Sequence, residues 1–149
     1  MKFNINMNNK IIIAKRNTAK IKKFEEKEWK LANIERYGRV RIARKKSYKL
    51  VSNDKNGDIL GIIDLLIDNN IAYITNLIVS SKHRRKGVGK DLIQSVEKIA
   101  KKNNYTKITF ETEENWTAPK FYKKMNYKIT GKHKNHYFGT SCLIFTKFL

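Results

Sequence analysis

The stretch YITNLIVSSKHRRKGVGKDLIQSVEKIAKK, residues 73–102, decides the fold of this chain of 149 residues. Its first part is apolar and rich in β-branched residues, which predicts a buried strand. A basic turn with two glycines follows the strand. Apolar residues then recur at helical spacing and predict an amphipathic helix: Leu92, Ile93, Val96, Ile99 and Ala100.

A second strand follows this helix, because KITFETE (residues 107–113) again combines β-branched and aromatic residues. The segment from Ala72 to Thr112 is therefore a strand–helix–strand crossover, and such a crossover joins parallel strands.

The remaining segments predict hairpins on both sides of the crossover. YKLVSN (48–53) and ILGIIDLLI (59–67) flank the turn DKNG, and YKITGK (127–132) and SCLIFTKFL (141–149) form the closing strands. Thr18 is a candidate N-cap for one or two helices that extend to Tyr37, KIIIAK (10–15) predicts a short strand, and Ala118–Met125 a short helix. The predicted fold class is α/β (α+β), with a mixed, mostly antiparallel twisted sheet of about six or seven strands, a central parallel pair and about four helices. We expect one domain over residues 1–149.

The charge of the chain favours anionic partners. Lys and Arg number 33 against 13 Asp and Glu, which gives a formal net charge of +20, and such a field attracts nucleotide cofactors, nucleic acid or membrane surfaces. Compositional bias also explains the total, because Lys, Asn and Ile are all abundant and the lysines are scattered. Cys142 is the only cysteine and is expected to be a buried packing residue. No apolar run reaches transmembrane length, so we expect no membrane association and a cytoplasmic location.

Three phosphate-binding designs can be compared with RRKGVGK (84–90). A P-loop needs glycine where Arg84 stands and serine or threonine where Asp91 stands, and a dinucleotide fingerprint needs a third glycine in place of Leu92. The pattern R-x-x-G-x-G remains. Its glycines let the backbone approach a bulky anion, and the free N–H groups and dipole of the helix start attract it. The alternative is a solvated basic turn.

Two motifs resemble the GCN5-related N-acetyltransferase (GNAT) superfamily. LIVSSKHRRKGVGKDLI (77–93) resembles the motif that binds the pyrophosphate of acetyl-coenzyme A, and FETEENWTAPKFYKKMNY (110–127) resembles a later motif of the same family. The second match rests on Asn115, Ala118, Phe121 and Tyr122. Where the family often has Gly-Phe, this chain has Asn126-Tyr127, and asparagine suits a left-handed helix cap. The resemblance implies a GNAT fold, acetyl-coenzyme A as co-substrate and no metal.

The resemblance also implies which residues hold the cofactor. In the family, the strand before the turn pairs its backbone with the pantetheine arm, and Leu77, Ile78 and Val79 match it. Asn115 matches a side chain that approaches the pantetheine or caps the next helix. The residues of the phosphate turn are Arg84, Arg85, Lys86, Gly87, Val88, Gly89 and Lys90.

The same resemblance makes Tyr122 the group that protonates the departing thiolate, although a tyrosine beside Phe121 is also a plausible packing residue. Glu111 lies where N-terminal acetyltransferases of the ribosomal-protein alanine type carry a glutamate that acts as a base through water. A surface carboxylate at a strand end is the alternative interpretation. Asp64, in an apolar strand, and His136 are further candidates for the base.

The predicted activity is acetyl transfer to a primary amine by direct attack, with a protein N-terminus or a lysine favoured as acceptor. NHYFGTSCLIFTKFL (135–149) resembles the tail that shapes the peptide site in N-terminal acetyltransferases, which implies Tyr137, His136 and Trp116 as substrate residues and Trp29 as a further aromatic wall. A small amine or antibiotic is the alternative acceptor, because the later motif also resembles streptothricin-type acetyltransferases. A basic protein that binds nucleic acid or ribosomes through GRVRIARKK, and an acyl-coenzyme A sensor without turnover, are alternatives of other classes. A monomer and a homodimer are both compatible with the sequence.

Overall fold

The computed structural model describes residues 13–40 and 44–149. Contacts divide the chain into two compact units, Met1–Ile42 and Ala43–Leu149. The single domain therefore stays a prediction. Half of the strand expected over residues 10–15 lies outside the described residues, and residues 13–15 are not in a strand.

The first unit contains helix α1, Ala19–Tyr37. The predicted N-cap is confirmed, because the Thr18 hydroxyl accepts a hydrogen bond from the Ile21 N–H at 3.4 Å. Gly38 ends the helix with a φ of 67°, and its N–H donates to the Ile34 carbonyl at 2.8 Å. One continuous helix thus occupies the segment for which one or two were expected.

The second unit is a sheet with helices in its connections. The strands are β1 (Lys45–Asn53), β2 (Ile59–Asp68), β3 (Ile71–Val79), β4 (Lys107–Glu113), β5 (Lys128–Tyr137) and β6 (Thr140–Phe148). A 3₁₀ turn (Ser81–His83) and α2 (Val88–Lys102) connect β3 to β4, and α3 (Ala118–Lys124) connects β4 to β5. The order of the six described strands is β1-β2-β3-β4-β6-β5, and every pair except β3–β4 is antiparallel. The predicted fold class and the parallel crossover are confirmed.

The core lies between the sheet and α2. Alternate residues of β2 are buried, including Ile63, Leu65 and Ile67, as the two-residue period of a strand requires. The apolar stripe of α2 covers them, with Leu92, Ile93, Val96 and Ala100 buried.

Two irregularities shape the centre of the sheet. Asp64 of β2 pairs with Asn76 while Leu65 pairs with Ile74, so Thr75 is an extra residue in β3 and forms a β-bulge. The register of β3 with β4 consists of three pairs, from Ile71–Lys107 to Tyr73–Thr109. Beyond those pairs the β3–β4 pairing stops, so the sheet is interrupted between the carboxyl-terminal halves of the two strands, and we call this interruption the gap.

Candidate active site

The gap between β3 and β4 exposes backbone groups that a continued parallel strand would pair. Ile74–Val79 of β3 lie beyond the three β4 pairs, while their other edge remains bonded to β2. Leu77 and Val79 pack their side chains partly against the core, and Ile78 is 55% exposed. An extended ligand can therefore bond to the β3 main chain here without disturbing the core.

The phosphate turn lies at the end of β3, where α2 begins. Gly87 is the N-cap of α2 with a φ of 92°, and Arg85 also has a positive φ, of 62°. The first helical residues are Val88, Gly89 and Lys90, and N–H groups in a first turn have no intrahelical acceptor. Lys86 and Lys90 are exposed beside them. The turn therefore presents backbone donors, the positive end of a helix dipole and cationic side chains to one place.

Arg84 differs from its neighbours in the turn. Its Nε donates a hydrogen bond to the Val79 carbonyl at 3.3 Å. That bond fixes the path of the turn relative to β3, so Arg84 contributes to the shape of the turn as well as to its charge.

The two glycines of the turn have different structural reasons. The positive φ of Gly87 strains any other residue except asparagine or aspartate. A Cβ added to Gly89 would lie 3.6 Å from Val79 Cγ2 and 3.7 Å from Phe121 Cζ, which are ordinary contacts. The protein itself therefore has room for a methyl group at Gly89, so packing within the protein does not explain this glycine.

Tyr122 lies on α3 and is 7% exposed. Its ring packs against Phe110 of β4 at a centroid distance of 4.3 Å, and against Phe121 and Phe145 at 5.1 and 5.6 Å. Burial raises the pKa of the Tyr122 phenol to about 12. The phenol is therefore neutral at physiological pH and can donate a proton or a hydrogen bond, and both expected interpretations, packing and acid, are compatible with its position.

Glu111 follows Phe110 on β4, so its side chain projects from the opposite face of the strand. Its carboxylate contacts two imidazoles of β5: Oε1 lies 3.5 Å from His133 Nε2, and Oε2 lies 3.4 Å from His136 Nε2. The His136 ring contacts the Tyr137 ring at a centroid distance of 4.4 Å. The structure thus brings together Glu111, His136 and Tyr137, which the sequence named separately.

The other candidate base, Asp64, lies on β2 within its own polar network. Lys49 donates a hydrogen bond to its carboxylate, and Asn76 Nδ2 lies 3.4 Å from the second oxygen. The bond from Lys49 lowers the pKa of Asp64. A carboxylate that already holds a lysine and has a lowered pKa is a poor proton acceptor, which argues against Asp64 as the base.

Several further interpretations can be compared with the structure. The capping role considered for Asn115 is wrong, because the N-cap of α3 is Thr117, and Asn115 is exposed in the preceding turn. The buried packing role of Cys142 is confirmed, and burial raises the pKa of its thiol. Asn126 adopts the expected left-handed conformation, with a φ of 64°. Trp116 is 62% exposed, and Trp29 is exposed on α1.

Sequence reasoning missed two residues of the site. A Cβ on Gly61 of β2 would lie 3.0 Å from the Ile78 carbonyl and 3.1 Å from Val88 Cγ1, so this glycine lets the start of α2 approach the sheet. A glycine inside an apolar strand was the available signal. His133 was missed because nothing in the linear pattern places it beside Glu111.

Within the described ranges, no group of three or more His, Cys, Asp or Glu side chains is arranged to hold a metal ion. The helices of those same ranges include none that is long and apolar enough to cross a membrane.

Comparison with known proteins agrees with this geometry. Residues 15–137 match the family described as the acetyltransferase (GNAT) domain. An acetyltransferase from Bacillus cereus ATCC 14579 superposes with a TM-score of 0.71 at 23% identity, over 93% of this chain and 98% of that one. The ribosomal-protein-S18-alanine N-acetyltransferase from Escherichia coli superposes with a TM-score of 0.60 at 17% identity, over 72% and 71% of the two chains. No match was found among curated protein sequences.

A third structure is 30% identical. It is described as a proposed streptothricin acetyltransferase from Bacillus anthracis strain Ames in complex with acetyl coenzyme A, and it superposes with a TM-score of 0.63 over 69% of this chain and 62% of that one. The chain belongs to the GNAT acetyltransferase family and is an N-acetyltransferase.

Proposed function

We propose that the chain transfers an acetyl group from acetyl-coenzyme A to the α-amine of a peptide by direct attack. The amine nitrogen bonds to the thioester carbonyl carbon, the carbon–sulfur bond breaks, and the sulfur leaves with that electron pair. One proton from nitrogen reaches sulfur through the acid, and an acceptor that starts as an ammonium ion gives a second proton to the base.

The observation that carries the proposal is the arrangement of Tyr122 and Glu111 around one strand. Phe110 and Glu111 are consecutive residues beside the gap, and they face opposite sides of the sheet. Phe110 contacts Tyr122 on one side, while Glu111 faces the histidines on the other. A thioester in the gap would meet the proton donor from one side and the amine, with its base, from the other.

The cofactor binds two neighbouring parts of the chain, the start of α2 and the main chain of β3. Its diphosphate binds the start of α2 through Gly87, Val88, Gly89 and Lys90, with Arg85 and Lys86 beside it. Its pantetheine arm bonds to the β3 main chain at Leu77, Ile78 and Val79, and Asn115 approaches it from the turn before α3. These features lie at successive positions along one continuous path from β3 into α2.

Tyr122 acts mainly as a hydrogen-bond donor to the sulfur. Its pKa of about 12 exceeds that of an ordinary thiol, near 8.5, so complete proton transfer to a solvated thiolate is uphill by roughly 5 kcal/mol. A hydrogen bond to the developing charge stabilises it by about 1.5–3 kcal/mol. The transfer is completed as the thiolate becomes basic in its buried position.

A protein N-terminus is favoured as acceptor by the cost of making the amine neutral. At pH 7 this cost is about 1 kcal/mol for an α-amine and about 4–5 kcal/mol for a lysine. Tyr137, which contacts His136 next to Glu111, lies on β5 at the edge of the sheet, where an extended peptide has room. Trp116, in the same unit as Tyr137, is a further exposed aromatic side chain for the acceptor.

A small amine, such as an aminoglycoside-like or streptothricin-like antibiotic, is the second candidate acceptor. The 30% identity to the proposed streptothricin acetyltransferase favours it. An acceptor panel separates the two: peptides with free N-termini, blocked peptides with one lysine, polyamines and streptothricin, each assayed for thiol release from acetyl-coenzyme A.

The panel is repeated with Tyr122→Phe and Glu111→Gln. We expect turnover to fall about 10²–10⁴-fold in each variant, with little change in the affinity for coenzyme A. The Glu111→Gln loss should shrink at alkaline pH with an α-amine acceptor, because solvent then neutralises the amine. Wild-type turnover by both variants, with chemistry rate-limiting, would refute the proposed roles.

A further inference from the structure

His133 and His136 face the same carboxylate although their spacing predicts the opposite. Residues three apart on a regular strand project from opposite faces. Here the pairing of β5 with β6 shifts register between His133 and Tyr137, and Asn135 has a positive φ of 48°. This irregularity turns His136 to the side on which His133 already lies. Bulges of this kind re-aim side chains and occur often beside active sites.

The result is a symmetric contact around Glu111. Each imidazole contacts a different carboxylate oxygen, at 3.5 and 3.4 Å, and the two rings stack with their centroids 5.0 Å apart and their planes 24° from parallel. The side chains of His133 and His136 are 46% and 37% exposed, and that of Glu111 is 37% exposed. All three side chains are therefore open to solvent, and the pair gives the carboxylate a second route to it.

The reaction releases a proton that such a route can carry. An ammonium acceptor and acetyl-coenzyme A give an amide, a free thiol and one proton, and that proton must leave the site in each turnover. If Glu111 receives it, Glu111 must lose it again before the next acceptor binds. Imidazoles as a class take up and release protons near neutral pH, so a histidine in contact with Glu111 can accept this proton and pass it to solvent.

We propose that His133 and His136 are the proton exit of this site: they orient Glu111, take the proton that it receives from the acceptor amine, and release it to solvent. This inference rests on the proposed function, because it needs Glu111 as the proton acceptor. His133 and His136 are positioning and relay residues, which need not touch the acceptor.

The ionisable groups around the pair come from three strands. Glu111 and Glu113 lie on β4, the buried Cys142 of β6 pairs with both His133 and Glu113, and Lys132 of β5 contacts Glu114 at 2.5 Å. Lys132 is thus paired with Glu114. The acidic group that both histidines contact is Glu111.

The test uses His133→Ala, His136→Ala and the double variant in the full chain, with the best amine of the panel as acceptor. Lys134→Ala is the matched control, because it truncates an exposed cation between the two histidines. We expect the double variant to lose about 100-fold in kcat at pH 7, the low end for one positioned acid or base. Each single variant should lose less, because the other imidazole remains, and the control should keep the wild-type rate.

Chemical rescue separates a relay from a structural role. Free imidazole, added to the double variant, should restore kcat, and substituted imidazoles of higher basicity should restore it more, while the affinity for coenzyme A and the melting temperature stay at wild-type values. The proposal would be overturned if the double variant kept the wild-type kcat from pH 6 to 9, or if it lost kcat and no imidazole restored it.

The Glu111→Gln variant distinguishes a failure of the proton exit from a failure of the proposed function. If Glu111→Gln loses turnover and the double histidine variant does not, the proton exit is wrong and the proposed function stands. If no amine of the panel is acetylated by the wild type, both fall together.

Discussion

Replacing Gly89 with alanine tests the phosphate turn without unfolding it. The new Cβ would lie 3.6 Å from Val79 and 3.7 Å from Phe121, at ordinary van der Waals distance. Gly89 is the second residue of α2 and has no positive φ, so alanine should leave the free energy of unfolding unchanged or raise it by about 0.4–1 kcal/mol. If a diphosphate binds this turn, we expect a methyl group next to the N–H to hinder its approach.

The expected loss is that of one hydrogen bond to a charged group. Such a bond contributes about 1.5–3 kcal/mol, which corresponds to about 10- to 150-fold in the dissociation constant of coenzyme A. Titration calorimetry measures the affinity, and urea unfolding measures the stability. Gln94→Ala, at an exposed position of the same helix, is the control.

Two outcomes have opposite meanings. A stable Gly89→Ala protein with weakened binding identifies the ligand as the reason for this glycine. A stable protein with unchanged affinity would refute the assignment of the turn. Gly87→Ala cannot serve as the same test, because its positive φ destabilises the folded state directly.

Three further predictions concern other parts of the site. The pKa of Tyr122 is 10 in the unfolded chain and about 12 in the folded protein. The free energy that the neutral phenol contributes to folding is therefore complete below pH 10, and roughly 2–3 kcal/mol of it is lost as pH rises towards 12. Urea unfolding between pH 9 and 11.5 should show that Tyr122→Phe lacks this part of the pH dependence. Asp64→Asn should keep wild-type turnover, because Lys49 already holds that carboxylate, and a loss as large as that of Glu111→Gln would return Asp64 to the list of bases. Gly61→Ala should cost about 1–3 kcal/mol in urea unfolding, since its Cβ meets a backbone carbonyl at 3.0 Å, and it should also weaken coenzyme A binding by displacing the start of α2; wild-type stability would contradict this close approach.

The sequence predicted most elements of the sheet because their periodicities are local. The stripe of α2 and the alternation in β2 are visible in the linear chain, and the crossover follows from their order. The position of the basic glycine turn before α2 was predicted in the same way, and its role as a phosphate site stays a prediction, since it rests on the local chemistry of glycines and basic residues before a helix.

The contacts of Glu111 could not be predicted from local patterns. β6 lies between β4 and β5, so the neighbours of Glu111 depend on strand order, which no single segment encodes. The spacing of His133 and His136 even indicates opposite faces, and only the irregularity at Asn135 reverses this. Non-local pairing and a register shift thus decided the part of the site that the sequence left as separate candidates.

The three-pair junction of β3 with β4 also has a mechanical consequence. One antiparallel ladder, β1-β2-β3, meets another, β4-β6-β5, along a seam shorter than any ladder within either half. Cooperative opening concentrates where few bonds must break together, so amides along this seam should exchange hydrogen sooner than those inside the two ladders. A ligand that bonds to the free edge of β3 closes the seam like an inserted strand, and its departure reopens it. Ligand binding at this junction and the stiffness of the sheet are therefore coupled.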